Sequence, residues 1–109
     1  MMGTKVGHVV IEADGGVVRA TIDRPEVKNA IDDGVIQGLE AVVEQAELER
    51  ARVLVLRGAG GTFCAGADLR HILSLIDDRT ALEGYVTRLS DVLERLERAP
   101  FASVCVIEG

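Results

Sequence analysis

Val53-Leu54-Val55-Leu56-Arg57-Gly58-Ala59-Gly60-Gly61-Thr62-Phe63-Cys64-Ala65-Gly66-Ala67-Asp68-Leu69 reads as an aliphatic strand, a turn of small residues and the opening of a helix. An apolar run without polar alternation predicts a strand covered on both faces, as in a parallel sheet. Gly58 to Gly61 end it. The small side chains beyond it let a ligand touch the backbone. If a helix starts near Ala67, its first amides have no intrahelical partner. With the helix dipole they would then attract negative charge developing on an oxygen, which is the chemistry of an oxyanion hole.

Two phosphate-binding readings of the same loop fail. A Walker loop needs a lysine at fixed distance from its glycines, and none stands there. The dinucleotide fingerprint starts with Gly58 and Gly60 but meets Phe63 where its third glycine belongs. A plain strand-to-helix connection explains the loop equally well when it is taken in isolation.

Outward from this segment, His8 to Ala13 and Val17 to Asp23 form two β-rich runs around Asp14-Gly15-Gly16, a hairpin signal. Arg24-Pro25-Glu26-Val27-Lys28-Asn29-Ala30 breaks the second run, since proline cannot donate to a ladder and asparagine favours turns. From Asp32, a candidate N-cap, apolar residues recur at Val35, Ile36, Leu39, Val42, Val43 and Ala46, predicting an amphipathic helix to about Arg50. A short helix is expected over Leu69 to Ile76. A longer one is expected over Thr80 to Arg98, with Leu82, Val86, Leu89, Val92, Leu93 and Leu96 on one face. Pro100 follows, then Ser103 to Ile107 as a buried strand closing on Glu108-Gly109. The order ββαβααβ predicts α/β architecture with helices crossing between mainly parallel strands. A strand ending at Gly109 lacks the loop that ligands in such sheets use, so the chain is expected to be the N-terminal part of one domain, residues 1–109, cut after Gly109.

A formal charge of −6 without clustered Lys or Arg argues against wrapping nucleic acid. No stretch approaches a membrane span, and Met1 to Val10 lacks an apolar run of signal-peptide length, so a cytoplasmic protein is expected. Cys64 and Cys105 show no metal-ligand spacing, and no metal site is expected. Cys64 has no histidine near it in sequence and reads as an inert small residue, while His8 and His71 are expected on surfaces.

Three segments in order and spacing carry a resemblance. They are Thr21-Ile22-Asp23-Arg24-Pro25-Glu26-Val27-Lys28-Asn29-Ala30-Ile31, then Val53 to Gly58, then Thr62 to Leu69. Together they resemble the enoyl-CoA hydratase/isomerase, or crotonase, family, which implies a crotonase-like fold. Ala102 stands where that family often has proline and Cys105 where alanine is usual, both small changes.

The resemblance implies an acyl-CoA enzyme in which two peptide N–H groups polarise a thioester carbonyl and stabilise an enolate-like anion. Ala67 resembles the first donor. The second, and the two glutamates that handle water and proton in hydratases, correspond to positions past Gly109, so the 109-residue chain alone is expected to be inactive. Arg24, Lys28 and Ala30 resemble the segment lying against the CoA moiety, where cations could meet its phosphates. Ala65, Asp68 and Leu69 resemble positions contacting the adenine and pantetheine. Beside the proposed hole, Asp68 reads as a helix-dipole partner rather than an acid or base. Hydration of 2-enoyl-CoA, in fatty acid metabolism, is the reaction expected. The alternatives are another crotonase reaction (isomerase, hydrolase, decarboxylase) or a non-catalytic acyl-CoA-binding or interaction module. No separate cofactor is implied, coenzyme A being part of the substrate, and a homo-oligomer, trimer or hexamer, is expected by resemblance.

Overall fold

The computed structural model describes residues 3–108. Gly109, where the closing strand is expected to end, lies outside the described residues, as do Met1 and Met2. Strands β1 (Thr4–Val6), β2 (Val9–Asp14) and β3 (Val17–Ile22) are followed by a short 3-10 turn at Pro25–Val27 and helix α1 (Asp33–Leu48). Strand β4 (Val53–Gly58), a second 3-10 turn (Ala59–Gly61), helices α2 (Leu69–Ser74) and α3 (Arg79–Arg98), and strand β5 (Ala102–Cys105) complete it. Strand β1 is an addition to the expected order. Its three residues, Thr-Lys-Val, are too few to signal a strand without the partner they pair with.

The sheet runs β1-β2-β3-β4-β5. Its first three strands pair antiparallel as two hairpins, and β3-β4 and β4-β5 pair parallel across helical crossovers. The register sets Val18 beside Leu54 and Ala20 beside Leu56, so inward positions of both strands face the same side. There they meet Val35, Leu39, Val42, Val43 and Ala46 of α1 in one apolar core. Helix α1 keeps the expected stripe, and Asp32 caps it by accepting from the Val35 amide at 3.0 Å.

The expectation that Val53 to Leu56 is covered on both faces is corrected. Leu54 and Leu56 are buried, Val53 and Val55 only partly, and Arg57 is exposed, because α1 and α3 stack on one side of the sheet. The expected buried closing strand is corrected likewise: every residue of β5 is exposed. Helix α3 lies along α1, tied by Arg88 to Glu40 and Arg95 to Glu47, pairs whose partial exposure limits each to well under ~1 kcal/mol. Only Tyr85 and Val92 of α3 are buried, whereas Val86 and Leu93, expected on its inner stripe, are about half exposed.

Candidate functional site

Two loops leave the carboxyl ends of the parallel strands β3 and β4 and meet above the sheet. The first, from Asp23 to Asp32, turns through Lys28 and Asn29, both in the left-handed region at φ 53° and 57°. Asn29 is wholly buried, and its Nδ2 donates to the carbonyls of Ala59 and Thr62 at 2.9 and 2.7 Å. Its Oδ1 accepts the Arg24 amide at 2.8 Å, so one side chain stitches the first loop to the second. Gly58, at the end of β4, makes this approach possible: a Cβ there would stand 2.1 Å from the Thr62 carbonyl oxygen and 2.6 Å from Asn29 Nδ2.

A second clamp is ionic. Arg24 Nη1 donates to the Ala30 carbonyl at 2.7 Å and to Asp68 Oδ2 at 3.0 Å, with Asp32 Oδ2 at 3.5 Å. Asp68 also caps α2, accepting from the His71 amide at 3.2 Å. Burial alone would raise the Asp68 carboxyl, but the Arg24 guanidinium and the His71 and Arg70 amides outweigh it and hold the group below its ordinary value. The dipole-partner reading of Asp68 therefore matches its position. Arg24, expected to reach toward phosphates, is instead turned inward, because three internal oxygens surround its guanidinium. Lys28 is the exposed cation of the loop and forms no ion pair among the described residues.

The backbones of the two loops also pair. Ala65 N donates to the Lys28 carbonyl at 3.0 Å, Ile31 N to the Gly66 carbonyl at 2.8 Å and Asp68 N to the Ile31 carbonyl at 3.0 Å. The last two bonds form a parallel bridge between Ile31 and Ala67. In such a bridge the peptides flanking Ala67 face Ile31, so the N–H of Ala67 itself points the other way. It finds no acceptor among the described residues. Gly66 reaches this arrangement at φ 93°, a conformation L side chains rarely adopt.

Helix α2 starts at Leu69, as expected, so the condition of a helix opening near Ala67 is not met. Asp68 caps its first turn, and the free Ala67 amide owes its direction to a β-bridge rather than to a helix end. Lys28, Ala65, Ala67 and Leu69 are exposed, whereas Ala30 is buried and its peptide engaged by Val27 and Arg24. Cys64 Sγ accepts the Gly66 amide at 3.3 Å, and both cysteines are free thiols. Behind the second loop an open apolar cavity of about 300 Å³ is lined by Leu39, Leu56, Phe63, Cys64, Leu93 and Leu96, among others. Glu108 enters only through its carbonyl, which accepts the Phe63 amide at 3.1 Å.

Tyr85 has no place in the expected site. Its hydroxyl donates to the Ile31 carbonyl, and its ring meets His71 edge-on at 5.0 Å. Burial, reinforced by the charges of Asp68, Asp33 and Asp32, pushes the phenol above its ordinary value, so the hydroxyl stays a donor. His71 is not the surface residue expected: its Nε2 is enclosed 3.1 Å from Asp33 Oδ2, although off the direction of a hydrogen bond. Among the described residues no group of three His, Cys, Asp or Glu side chains could hold a metal ion. None of the helices there is long and apolar enough to cross a membrane.

Comparison with known proteins gives one consistent answer. Residues 12–109 match the family model described as enoyl-CoA hydratase/isomerase. An enoyl-CoA isomerase/hydratase of Mycosarcoma maydis is 33% identical over 103 residues, covering 86% of this chain and 37% of that protein. An ethylmalonyl-CoA decarboxylase of Mus musculus is 31% identical over 104 residues, covering 92% of this chain and 31% of its own length. The solved structure of Pseudomonas aeruginosa AtuE superposes with a TM-score of 0.85 at 33% identity, over 94% of this chain and 40% of that one. The chain thus spans roughly a third of the length of the curated relatives it matches.

Proposed function

The chain belongs to the enoyl-CoA hydratase/isomerase family, and from that premise we propose that its two cross-linked loops bind a CoA thioester and stabilise an enolate-like anion at the Ala67 amide. The observation that carries this reading is the Ala67 N–H, directed away from its bridge partner and without an acceptor among the described residues. Lys28 meets the phosphates of the CoA moiety, and the exposed backbone at Ala65 and Leu69 lies against its adenine and pantetheine. Arg24, Ala30 and Asp68 act behind them by holding the loops in place. Coenzyme A enters as part of the substrate.

Hydration of a 2-enoyl-CoA is the reaction assigned. Water oxygen bonds to C3 as one of its O–H bonds breaks and the proton passes to a base, and the C2–C3 π pair moves toward the thioester oxygen as an enolate. C2 then takes a proton from an acid, neither that acid nor the base being among the groups assigned in this chain. The Ala67 amide stabilises the intermediate charge. An oxyanion donor typically contributes ~3 kcal/mol. Asp68, adjacent to that amide, is committed to Arg24 and to capping α2, which leaves it unsuited to move the proton. The 109-residue chain by itself is therefore proposed to bind thioester without turning it over. Location in the cytoplasm and assembly into trimers or hexamers belong to the same reading.

Titration of the chain with CoA and a 2-enoyl-CoA, beside a hydration assay on the same sample, is the direct test. Binding of both, without turnover, is expected. Infrared spectra of an enoyl-CoA carrying a ¹³C label at the thioester carbonyl should show the band moving to lower frequency on binding. Replacing Ala67 by lactic acid converts its peptide to an ester, removing only the N–H, and should abolish that movement. Turnover by the chain would overturn the claim that its acid and base are missing. An unmoved carbonyl band in the bound wild type would overturn the oxyanion role and favour a simple acyl-CoA-binding module.

A further inference from the structure

We propose that Tyr85 is a positioning residue for the Ala67 amide, steadying the bridge around it through the Ile31 carbonyl from a different part of the fold. The inference rests on the oxyanion reading of Ala67 for its consequence, but not for its geometry.

Ile31 is the joint of the site. Its N–H donates to the Gly66 carbonyl at 2.8 Å and its carbonyl accepts the Asp68 amide at 3.0 Å, so Ile31 grips the chain on both sides of Ala67. A carbonyl oxygen has two lone pairs. The second on Ile31 is taken by the Tyr85 hydroxyl, which approaches from α3, 54 positions away in sequence. The phenol is 3% exposed, which keeps water from competing for that oxygen. Its ring is held in turn by His71 of α2, edge-on at 5.0 Å, and His71 Nε2 sits 3.1 Å from Asp33 Oδ2 at the start of α1. Contacts from α1, α2 and α3 thus run in series, Asp33 to His71 to Tyr85, and the last of them ends on the Ile31 carbonyl.

The spacing of Ile31 and Ala67 alone would allow the bridge to form and fray, since an isolated bridge carries two bonds with no neighbouring ladder. The Tyr85 bond holds the Ile31–Asp32 peptide, whose oxygen grips the Asp68 amide; with that arm of the bridge open, the Gly66–Ala67 peptide would hang from one bond and the Ala67 N–H could swing. Arg24 secures the other arm of the bridge, since the Ala30 carbonyl it binds belongs to the same peptide as the Ile31 N–H that grips Gly66. Tyr85 is the side chain bonded to the Ile31 carbonyl, the arm that Arg24 does not reach.

Tyr85→Phe in the full 109-residue chain keeps the ring and removes the bond. Amide exchange at Ile31 and Asp68, followed by NMR, should speed up about fivefold or more while amides of β2 and β3 keep their rates. The Ala67 cross-peak should move. Affinity for CoA itself should be unchanged, whereas the carbonyl band of a bound, labelled enoyl-CoA should lose half or more of its wild-type displacement. Unaltered exchange and shifts at residues 66–68 in folded Tyr85→Phe would overturn the assignment. So would a freely exchanging Tyr85 hydroxyl proton in the wild-type chain, a measurement that needs no variant. Altered shifts together with no carbonyl displacement in the wild type would keep Tyr85 as a positioning residue and overturn the oxyanion reading instead.

Discussion

The paired loops at the ends of β3 and β4 and the outer edge formed by β5 and α3 are held in opposite ways. The loops are fastened by buried groups from several elements: Asn29, Arg24, Asp68 and Tyr85 each satisfy oxygens or amides of a chain segment distant in sequence. The edge is held by single neighbours, with β5 paired on one side only among the described residues and Val104, Val106 and Leu93 each close to half exposed. A ligand site built from loops needs rigidity that apolar burial alone does not supply, because loop backbone must find hydrogen bonds wherever water is excluded. At the edge, apolar residues expose the opposite situation, surface whose burial would still be favourable.

If that contrast holds, substitutions in the loops should cost far more than substitutions at the edge. Gly58→Ala should have the largest effect, since its Cβ would press against the Thr62 and Phe63 carbonyls at 2.1 and 2.3 Å. A loss of about 4 kcal/mol or more in urea unfolding is expected. Asn29→Ala should come next, at about 3 kcal/mol, since it strips partners from two carbonyls and one amide and places alanine in the left-handed region. Asn29→Gly restores the backbone freedom but not the bonds, so it should recover about 1 kcal/mol of that loss. Near-complete recovery by Asn29→Gly would show that conformation, not cross-linking, is what Asn29 supplies.

Asp68 offers a pH test of the ionic clamp. Its folded-state carboxyl lies below the ordinary value of 3.8, so its contribution is fully present above that value and is lost as the pH falls through the folded one. Asp68→Asn should flatten the acid limb of the stability profile and lower stability at neutral pH by about 2 kcal/mol, because Arg24 loses its closest carboxylate. An acid limb as steep as in the wild type would assign the effect to other carboxylates. The smallest change is expected at the edge: Val104→Lys with Val106→Lys should alter stability by less than about 0.5 kcal/mol. The same pair should reduce self-association, measured by sedimentation at increasing concentration. A large loss of stability there would break the contrast.

Much of this was legible in the residues. The stripe from Val35 to Ala46 closes on one core because its 3.6-residue spacing needs only one apolar surface to meet. The hairpin glycines and the three motifs brought Ala67, Lys28 and Arg24 into one region. The α3 stripe was misread, since periodicity names a face without saying whether a neighbour covers it. Val53 to Leu56 was misread for the same reason: an aliphatic run fits a strand buried on one side as well as on two. Asn29 was visible only as a turn former, because nothing in its neighbourhood announces carbonyls 30 and 33 positions away.

By itself the order of residues determined where every strand but β1 and every helix lies, which family the chain belongs to and that a small-residue loop follows β4, because these depend on local spacing and residue type. Only the tertiary structure decided that Arg24 turns inward, that the Ala67 amide is freed by a bridge to Ile31, and that Tyr85 reaches that bridge from α3. Hydrogen bonds between distant segments depend on direction within about an ångström. Spacing along the chain carries no information about direction until the core has packed.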